Sequence, residues 1–184
     1  MAYIRKLRKS DALLMFEWMH DEEVVHYMKA DFRHKTLDDC IKFIVCAQND
    51  SNNVHMAVAD DKDTYMGTVS LKNIQEHSAE FAIVMSKSAV GKGYASEGMK
   101  QILEFGFNMV GLTHIYWCVD RENHRAVRFY DKNGYQRISL DDLCNKLGFS
   151  AHNLEENGYR PEEAKSYIWY MEQESAVTSE IIRK

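Results

Sequence analysis

The sequence lacks the cysteine spacing, the long apolar run and the leader pattern that define several classes of protein. Its four cysteines form no C-x-x-C pair and no zinc-like spacing, so we expect reduced core thiols and no metal site; they are Cys40, Cys46, Cys118 and Cys144. No apolar stretch reaches the roughly 18 residues of a membrane span, and residues 1–5 do not resemble a signal peptide. We therefore expect a soluble, cytoplasmic protein without a membrane partner.

An excess of basic residues is also missing. The chain has 28 Asp and Glu against 23 Lys and Arg, a formal net charge of −5 at pH 7. Because phosphate-backbone binding needs a basic surface, this charge excludes nucleic acid as the main partner and favours a cationic or neutral acceptor. The 184 residues, 45% of them hydrophobic, suffice for one domain with a real core. We expect a single domain over residues 1–174 and a flexible tail over residues 175–184.

The most informative stretch joins a strand, a glycine turn and a helix. Residues 79–86 are rich in β-forming residues, and apolar residues recur at helical spacing from Ala95 onward. Between them stands Val90-Gly91-Lys92-Gly93-Tyr94-Ala95. Glycines let a ligand approach the main chain, and a helix N-terminus beside Lys92 attracts anions, phosphate above all. A tight turn without a ligand is the alternative. The P-loop sequence is absent, and Ser96 occupies the third glycine position of the dinucleotide fingerprint.

A second strand and helix follow. Residues 113–119 form an apparent strand, Asn123 is a good helix N-cap, and Gly134 is placed to end the helix. Ala126 and Tyr130 share one face of this helix with Val127. The pattern of the segment is N-x-x-A-x-x-F-Y-x-x-x-G-Y.

Both segments resemble the acetyl-CoA motifs of the GCN5-related N-acetyltransferase (GNAT) family. The first family motif is Q/R-x-x-G-x-G/A, which the chain matches at Gly93 and Ala95 and departs from at Val90. The second motif matches over residues 123–135. The layout resembles the branch of ribosomal-protein N-terminal acetyltransferases, with aminosugar, aminoglycoside and polyamine acetyltransferases as close competitors. The resemblance implies an α/β (α+β) fold: a mixed, mostly antiparallel sheet of about six to seven strands flanked by helices.

The resemblance also implies acetyl-CoA as the cosubstrate, with no metal, and transfer of its acetyl group to a primary amine by direct attack. The acceptor would be a protein N-terminus or a small amine, and a homodimer is possible. The cofactor-binding residues would be Val84, Met85, Val90, Gly91, Lys92, Gly93, Tyr94, Ala95, Ser96, Asn123, Ala126, Phe129 and Tyr130. Main-chain N–H groups near Val84 and Met85 would stabilise the oxyanion.

Two residues are candidates for proton transfer. Glu80 stands in the strand before the turn, where carboxylates of the family often serve as general base, and its apolar neighbours suit that role. The alternative is a Glu80 side chain that faces solvent or a structural arginine. Tyr130 occupies the position of the family's general acid, because a phenol can hydrogen-bond and protonate the departing thiolate without being ionised at neutral pH. A core tyrosine bonded to the backbone is its alternative.

Several features leave the function open. Residues 140–161 are an acidic insertion relative to the minimal family layout, either a solvated helical excursion or a cover over the acceptor site that favours a cationic substrate. The aspartate-rich turn of residues 60–63 is expected to be a solvated hairpin. Val90 supports the alternative of a non-catalytic acyl-CoA-binding module, while Tyr130 and Glu80 speak against it.

Overall fold

The computed structural model describes residues 1–174, and the predicted tail of residues 175–184 lies outside this part of the chain. The described chain holds one seven-stranded sheet with the order β1-β2-β3-β4-β5-β7-β6. Its strands are β1 (Tyr3–Lys6), β2 (Val54–Ala59), β3 (Tyr65–Gln75), β4 (Ser78–Met85), β5 (His114–Asp120), β6 (Arg137–Ile138) and β7 (Tyr167–Gln173).

Along the chain the α-helices lie between these strands, mostly at the predicted positions. They are α1 (Ala12–Met19), α2 (Glu22–Val25), α3 (Leu37–Ala47), α4 (Tyr94–Phe105), α5 (His124–Lys132), α6 (Leu140–Leu147), α7 (Ala151–Glu156) and α8 (Pro161–Ala164). The pairs β1–β2, β2–β3, β5–β7 and β6–β7 are antiparallel, whereas β4 and β5 are parallel. The predicted α/β class with a mixed, mostly antiparallel sheet is thereby confirmed.

The chain forms two compact units. The first comprises Met1–Lys72 and Phe81–Phe105, and the second comprises Asn73–Glu80 and the described residues from Gly106 onward. Strands β3 and β4 each contribute residues to both units. The single domain over residues 1–174 stays a prediction.

The first unit has a core in which α1 and α3 pack their apolar faces on the strands. Cys40 and Ile44 of α3 are buried in it. The sequence Thr36-Leu37-Asp38-Asp39 predicts a capping box, which is present: Asp39 N–H donates to Thr36 Oγ1 at 3.2 Å. Helical spacing also predicts Leu37 and Val45 on the apolar face of α3, but this prediction is wrong, because both are exposed. The buried stripe of α3 is narrow, and one step along a helix turns a side chain by about 100°, so the residue after Ile44 leaves the core.

Helix α4 begins one residue before the predicted start. Gly98, Met99 and Ile102 are buried against the first unit's core. Helical periodicity predicts Glu97 and Gln101 on the polar face of α4, but both bind main-chain N–H groups of the first strand or of the residue just before it. The Ile4 N–H donates to Gln101 Oε1 at 3.0 Å, and Ala2 N–H donates to the Glu97 carboxylate.

The turn of residues 60–63 is more than a solvated hairpin. Asp63 accepts hydrogen bonds from the Tyr3 hydroxyl at 2.5 Å and from Arg5 Nε at 2.7 Å, and it also pairs with Arg8. These donors, that of Tyr3 foremost, hold the pKa of Asp63 far below its usual range. The sequence Ser10-Asp11 predicts a cap for α1. Asp11 instead binds Arg5 at 2.7 Å, and its side chain makes no capping hydrogen bond to α1.

The inserted residues 140–161 contribute to the core of the second unit. Leu143, Leu154 and Tyr159 are buried together with residues of β5 and β7. The acidic side chains of the segment lie mostly at its surface, as Asp141 and Glu155 do. The predicted helical excursion is therefore correct as secondary structure, but one of its faces is packed and not solvated.

Gly67 in β3 is required by a close approach inside the first unit. A Cβ atom at this position would lie 2.3 Å from the Val84 carbonyl oxygen and 2.9 Å from Met85 Cα. We predict that Gly67→Ala lowers the free energy of unfolding by about 1–3 kcal/mol, because backbone atoms must move. Urea denaturation measures this change.

Gly98→Ala is the matched control. Its Cβ would lie 2.7 Å from Val58 Cγ2, a side-chain atom, and alanine stabilises a helix by about 1 kcal/mol relative to glycine. We expect Gly98→Ala to cost clearly less than Gly67→Ala. Equal losses for the two variants would contradict the role of the close backbone approach.

Candidate active site

The glycine turn of the first unit has the geometry of an open main-chain cradle. Gly91 and Gly93 have φ angles of 77° and 79°, a left-handed conformation that side chains disfavour. A Cβ atom built at either glycine would meet nothing within 4 Å, so there is open space in front of the turn. Val90, which departs from the family motif, is 44% exposed. The predicted turn is therefore not plugged by side chains.

The start of α4 follows this turn directly. The first intrahelical hydrogen bond runs from Glu97 N–H to the Gly93 carbonyl at 3.1 Å, so Tyr94, Ala95 and Ser96 belong to the first turn, whose N–H groups point along the helix axis. Lys92 is exposed, and its Nζ lies 6.0 Å from the centre of the Tyr94 ring. A helix of twelve residues with a cation at its N-terminus suits an anionic group.

Val84 and Met85 form the end of β4 in the first unit. Both are half-buried, and the Val84 carbonyl oxygen faces Gly67. The next residue, Ser86, donates its N–H to the Met66 carbonyl at 2.8 Å. This bond and the glycine fix the end of the strand that leads into the turn.

Helix α5 of the second unit begins as predicted. Asn123 Oδ1 accepts a hydrogen bond from Ala126 N–H at 3.1 Å, and Gly134 follows the helix with a φ angle of 81°. Ala126 and Phe129 are half-buried. The cap explains the position of Asn123, and its predicted contact with the pantetheine arm stays a prediction.

Tyr130 lies inside an aromatic cluster of the second unit. Its ring centre is 5.5 Å from that of Trp117, 5.1 Å from that of Tyr170 and 5.2 Å from that of Phe129, and the residue is 6% exposed. Burial raises the pKa of the Tyr130 phenol, so it keeps its proton at neutral pH. The cluster holds the ring in one orientation, and the role of the hydroxyl as an acid stays a prediction.

Glu80 is buried in the second unit and does not face solvent. It pairs with Tyr116 of the parallel strand β5 and is 5% exposed. The Tyr159 hydroxyl donates to Glu80 Oε1 at 2.6 Å, and Asn73 Nδ2 donates to Oε2 at 3.3 Å. Neither donor was predicted from the sequence, because neither belongs to a local motif that includes Glu80.

Three cations on α5 were also missed, although their spacing could have indicated them. Arg125, Arg128 and Lys132 are exposed, and they line a shallow cavity of about 290 Å³ together with Phe129. Residues three and seven positions apart lie on the same side of a helix. The helix therefore presents a cationic groove with one aromatic wall, which suits a phosphate-bearing ligand.

Residues 1–174 contain neither a cluster of metal-ligating side chains nor a helix that could span a membrane. No group of three or more His, Cys, Asp or Glu side chains is arranged to hold a metal ion within this range. None of the described helices combines the length and apolar character needed to cross a bilayer.

The known proteins that this chain resembles are N-acetyltransferases. The family model of the acetyltransferase (GNAT) domain matches residues 2–136. The uncharacterized N-acetyltransferase YnaD of Bacillus subtilis is 29% identical over 146 residues, which are 79% of this chain and 85% of YnaD. The spermidine N(1)-acetyltransferase of Escherichia coli K12 is 37% identical over 71 residues, 38% of each chain.

A solved structure shows the same fold. It is the crystal structure of spermidine N-acetyltransferase from Vibrio cholerae in complex with CoA and spermine, at a TM-score of 0.67 and 24% sequence identity. The match covers 74% of this chain and 82% of that chain.

The strand, glycine turn and helix, together with these comparisons, define an acyltransferase that uses a CoA thioester. Because the domain model matches well over half of the sequence, the chain belongs to the GNAT acetyltransferase family. It is an acetyl-CoA-dependent N-acetyltransferase, which confirms the predicted enzyme class and cosubstrate. The match establishes the family and not the ribosomal-protein branch within it.

The glycine turn gives a prediction for cosubstrate binding. We expect Gly93→Ala to raise the Kd for acetyl-CoA roughly tenfold, because a left-handed alanine costs about 1–2 kcal/mol and the turn relaxes away from its open form. Isothermal titration calorimetry measures the Kd. Gly111→Ala is the control, since Gly111 has a φ angle of 81° and equally open space. Similar Kd changes in both variants would contradict a specific role of the turn.

Proposed function

We propose that the chain acetylates a primary amine of a small, positively charged molecule, with a polyamine as the first candidate. The transfer chemistry is supported above all by the open glycine turn at the front of α4. The polyamine is supported by the identity of 37% over 71 residues with a spermidine N(1)-acetyltransferase and by the net charge of −5. Protein N-termini, the acceptors of the ribosomal-protein branch, are the second candidate, favoured by the layout of the two acetyl-CoA motifs.

In the first unit, we assign the diphosphate of acetyl-CoA to the main chain of residues 90–96. The glycines Gly91 and Gly93 allow close approach, the N–H groups of Tyr94, Ala95 and Ser96 point toward the anion, and Lys92 adds positive charge. Val90 contributes its main chain only, which accounts for the tolerance of a residue other than Gln or Arg. The N–H groups at Val84 and Met85 are assigned to the thioester oxygen.

In the second unit, we assign the pantetheine arm to the start of α5. Asn123 would use its amide N–H for this contact, because its Oδ1 already caps the helix. Ala126 and Phe129 would provide apolar contacts on the same helix. The cationic groove of Arg125, Arg128 and Lys132 supports the binding of a cosubstrate that carries phosphate groups.

The ammonium nitrogen must lose two protons in the reaction, and the sulfur must gain one. An ammonium group has no lone pair, so Glu80 is assigned to take a proton from the amine, directly or through water. The amine nitrogen then attacks the thioester carbon, and the resulting oxyanion is stabilised by main-chain N–H groups. Collapse of this intermediate breaks the C–S bond, and the Tyr130 hydroxyl donates a hydrogen bond, and finally its proton, to the departing sulfur. The second proton of the nitrogen leaves through water and restores the Tyr130 hydroxyl.

Tyr130→Phe tests the assigned acid. We expect kcat to fall by roughly 10²-fold, the lower end of general acid catalysis, while the Kd for acetyl-CoA changes little because the ring keeps its packing. Steady-state kinetics and calorimetry measure the two effects. Tyr135→Phe is the matched control, since this phenol belongs to the same cluster, with ring centres 6.2 Å apart. An unchanged kcat in Tyr130→Phe would exclude it as the acid.

A thiol-release screen tests the acceptor. Acetyl-CoA is mixed with spermidine, spermine, aminosugars, aminoglycosides and N-terminal peptides, and the free CoA thiol is measured. We expect the highest kcat/KM with the polyamines, because the protein carries excess negative charge. A preference for peptides would support the ribosomal-protein branch, and acetyl-CoA binding without thiol release for any amine would support the non-catalytic module. Homodimer formation stays a prediction, which light scattering tests.

A further inference from the structure

The carboxylate of Glu80 is held by a residue from a segment that the family match does not cover. The matching region ends at residue 136, whereas the donor to Glu80 Oε1 is Tyr159, 79 positions away in sequence. Both residues are buried, at 5% exposure each. An O–H···O bond of 2.6 Å to a carboxylate has the length of a charge-assisted hydrogen bond.

Tyr159 is itself fixed by its surroundings. Its N–H donates to the Leu154 carbonyl at 2.8 Å, and Gly158, with a φ angle of 83°, ends helix α7 directly before it. The ring lies 5.1 Å from that of Trp169, and the hydroxyl lies 3.3 Å from Cys118 Sγ. A donor held at both its backbone and its ring places the hydroxyl in one position, which reduces the entropy lost on bonding.

The same loop also contacts the residue paired with Glu80. Asn157 Nδ2 donates to the Tyr116 hydroxyl at 3.1 Å, and Tyr116 is the partner of Glu80 across β4 and β5. Two residues of one loop therefore bind two residues paired across parallel strands. The loop of Asn157 and Tyr159 therefore contacts Glu80 and its strand partner directly.

The Tyr159 phenol keeps its proton and therefore remains a hydrogen-bond donor to Glu80. Burial, followed by the neighbouring Cys118 and Glu80, raises the pKa of the Tyr159 phenol, so it remains protonated at neutral pH. A carboxylate offers about four acceptor positions. A bond from the Tyr159 hydroxyl can therefore orient Glu80 without preventing the carboxylate from accepting a proton from an amine or a water molecule.

We propose that Tyr159 is a positioning residue for Glu80: its hydroxyl fixes the carboxylate in the orientation in which it accepts the proton. This inference rests on the proposed role of Glu80 as general base. It assigns the inserted residues 140–161 a part in the reaction through this contact, independent of the acidic side chains on their surface.

The test combines Tyr159→Phe with Glu80→Gln in a double-mutant cycle on the full chain. We expect Tyr159→Phe to lower kcat about tenfold while the KM for acetyl-CoA stays unchanged, because the ring remains and only the hydroxyl is lost. In the Glu80→Gln background the same substitution should have no further effect on kcat. Tyr167→Phe is the control, since Tyr167 belongs to the same aromatic cluster but donates to Glu163 at 3.0 Å.

The outcomes separate the possible explanations. A loss of kcat in Tyr159→Phe that is equal in both backgrounds, or is matched by Tyr167→Phe, would show a structural role and overturn the proposal. A Glu80→Gln variant with full kcat would overturn it together with the assigned base, while acetyl transfer itself would stand. Thiol release absent from the unmodified chain with every amine would overturn the proposed function as well.

A second measurement does not depend on turnover. Crystal structures of the unmodified chain and of Tyr159→Phe compare the side-chain torsions of Glu80. We expect the carboxylate to rotate away from its bond with Asn73 when the phenol oxygen is absent. An unchanged carboxylate would contradict the positioning role, even if kcat had fallen.

Discussion

The parallel pairing of residues 78–80 with residues 114–116 is the constraint on which the second unit depends. Parallel strands cannot be joined by a tight turn, and their connection usually takes a dozen residues or more. Here the connection contains the glycine turn and α4. The pairing also fixes Glu80 opposite Tyr116, inside the sheet. The position of the carboxylate is therefore set by strand topology and not by a mobile loop.

A carboxylate inside a sheet must be supplied with hydrogen-bond donors, because an unpaired buried charge is strongly unfavourable. In this chain Asn73 of β3 and Tyr159 of the loop after α7 both donate to Glu80. The loop is anchored by apolar residues of the inserted segment, Leu143 and Leu154 among them. The segment beyond the family match is thus packed in the core of the second unit together with residues of β5 and β7.

Most features encoded within a few residues could be predicted. The Thr36 capping box, the Asn123 cap and the start of α4 all depend on contacts between residues up to four positions apart. Features that depend on distant contacts could not be read from local patterns. The bond from Tyr159 to Glu80 and the ion pairs of Asp63 join residues more than 50 positions apart.

Among the site residues, too, the features encoded locally were predicted and those that depend on distant contacts were not. The turn of residues 90–96 and the helix that carries Tyr130 were predicted from motifs, because each motif encodes its own backbone geometry. The burial of Glu80 was not predicted, since period-two alternation leaves both faces of a strand possible. Only the packing of residues 140–161 on β5 and β7 decides which face is covered.

Because of the cationic groove on α5, ionic strength has two opposing effects on the association of acetyl-CoA with the protein. The chain as a whole has a net charge of −5 and repels a polyanion from a distance, whereas Arg125, Arg128 and Lys132 attract it close to the helix. The Debye length is about 8 Å at physiological salt, so distant charges are screened first and neighbouring ones last. Moderate salt therefore relieves the long-range repulsion, and only concentrated salt weakens the local attraction.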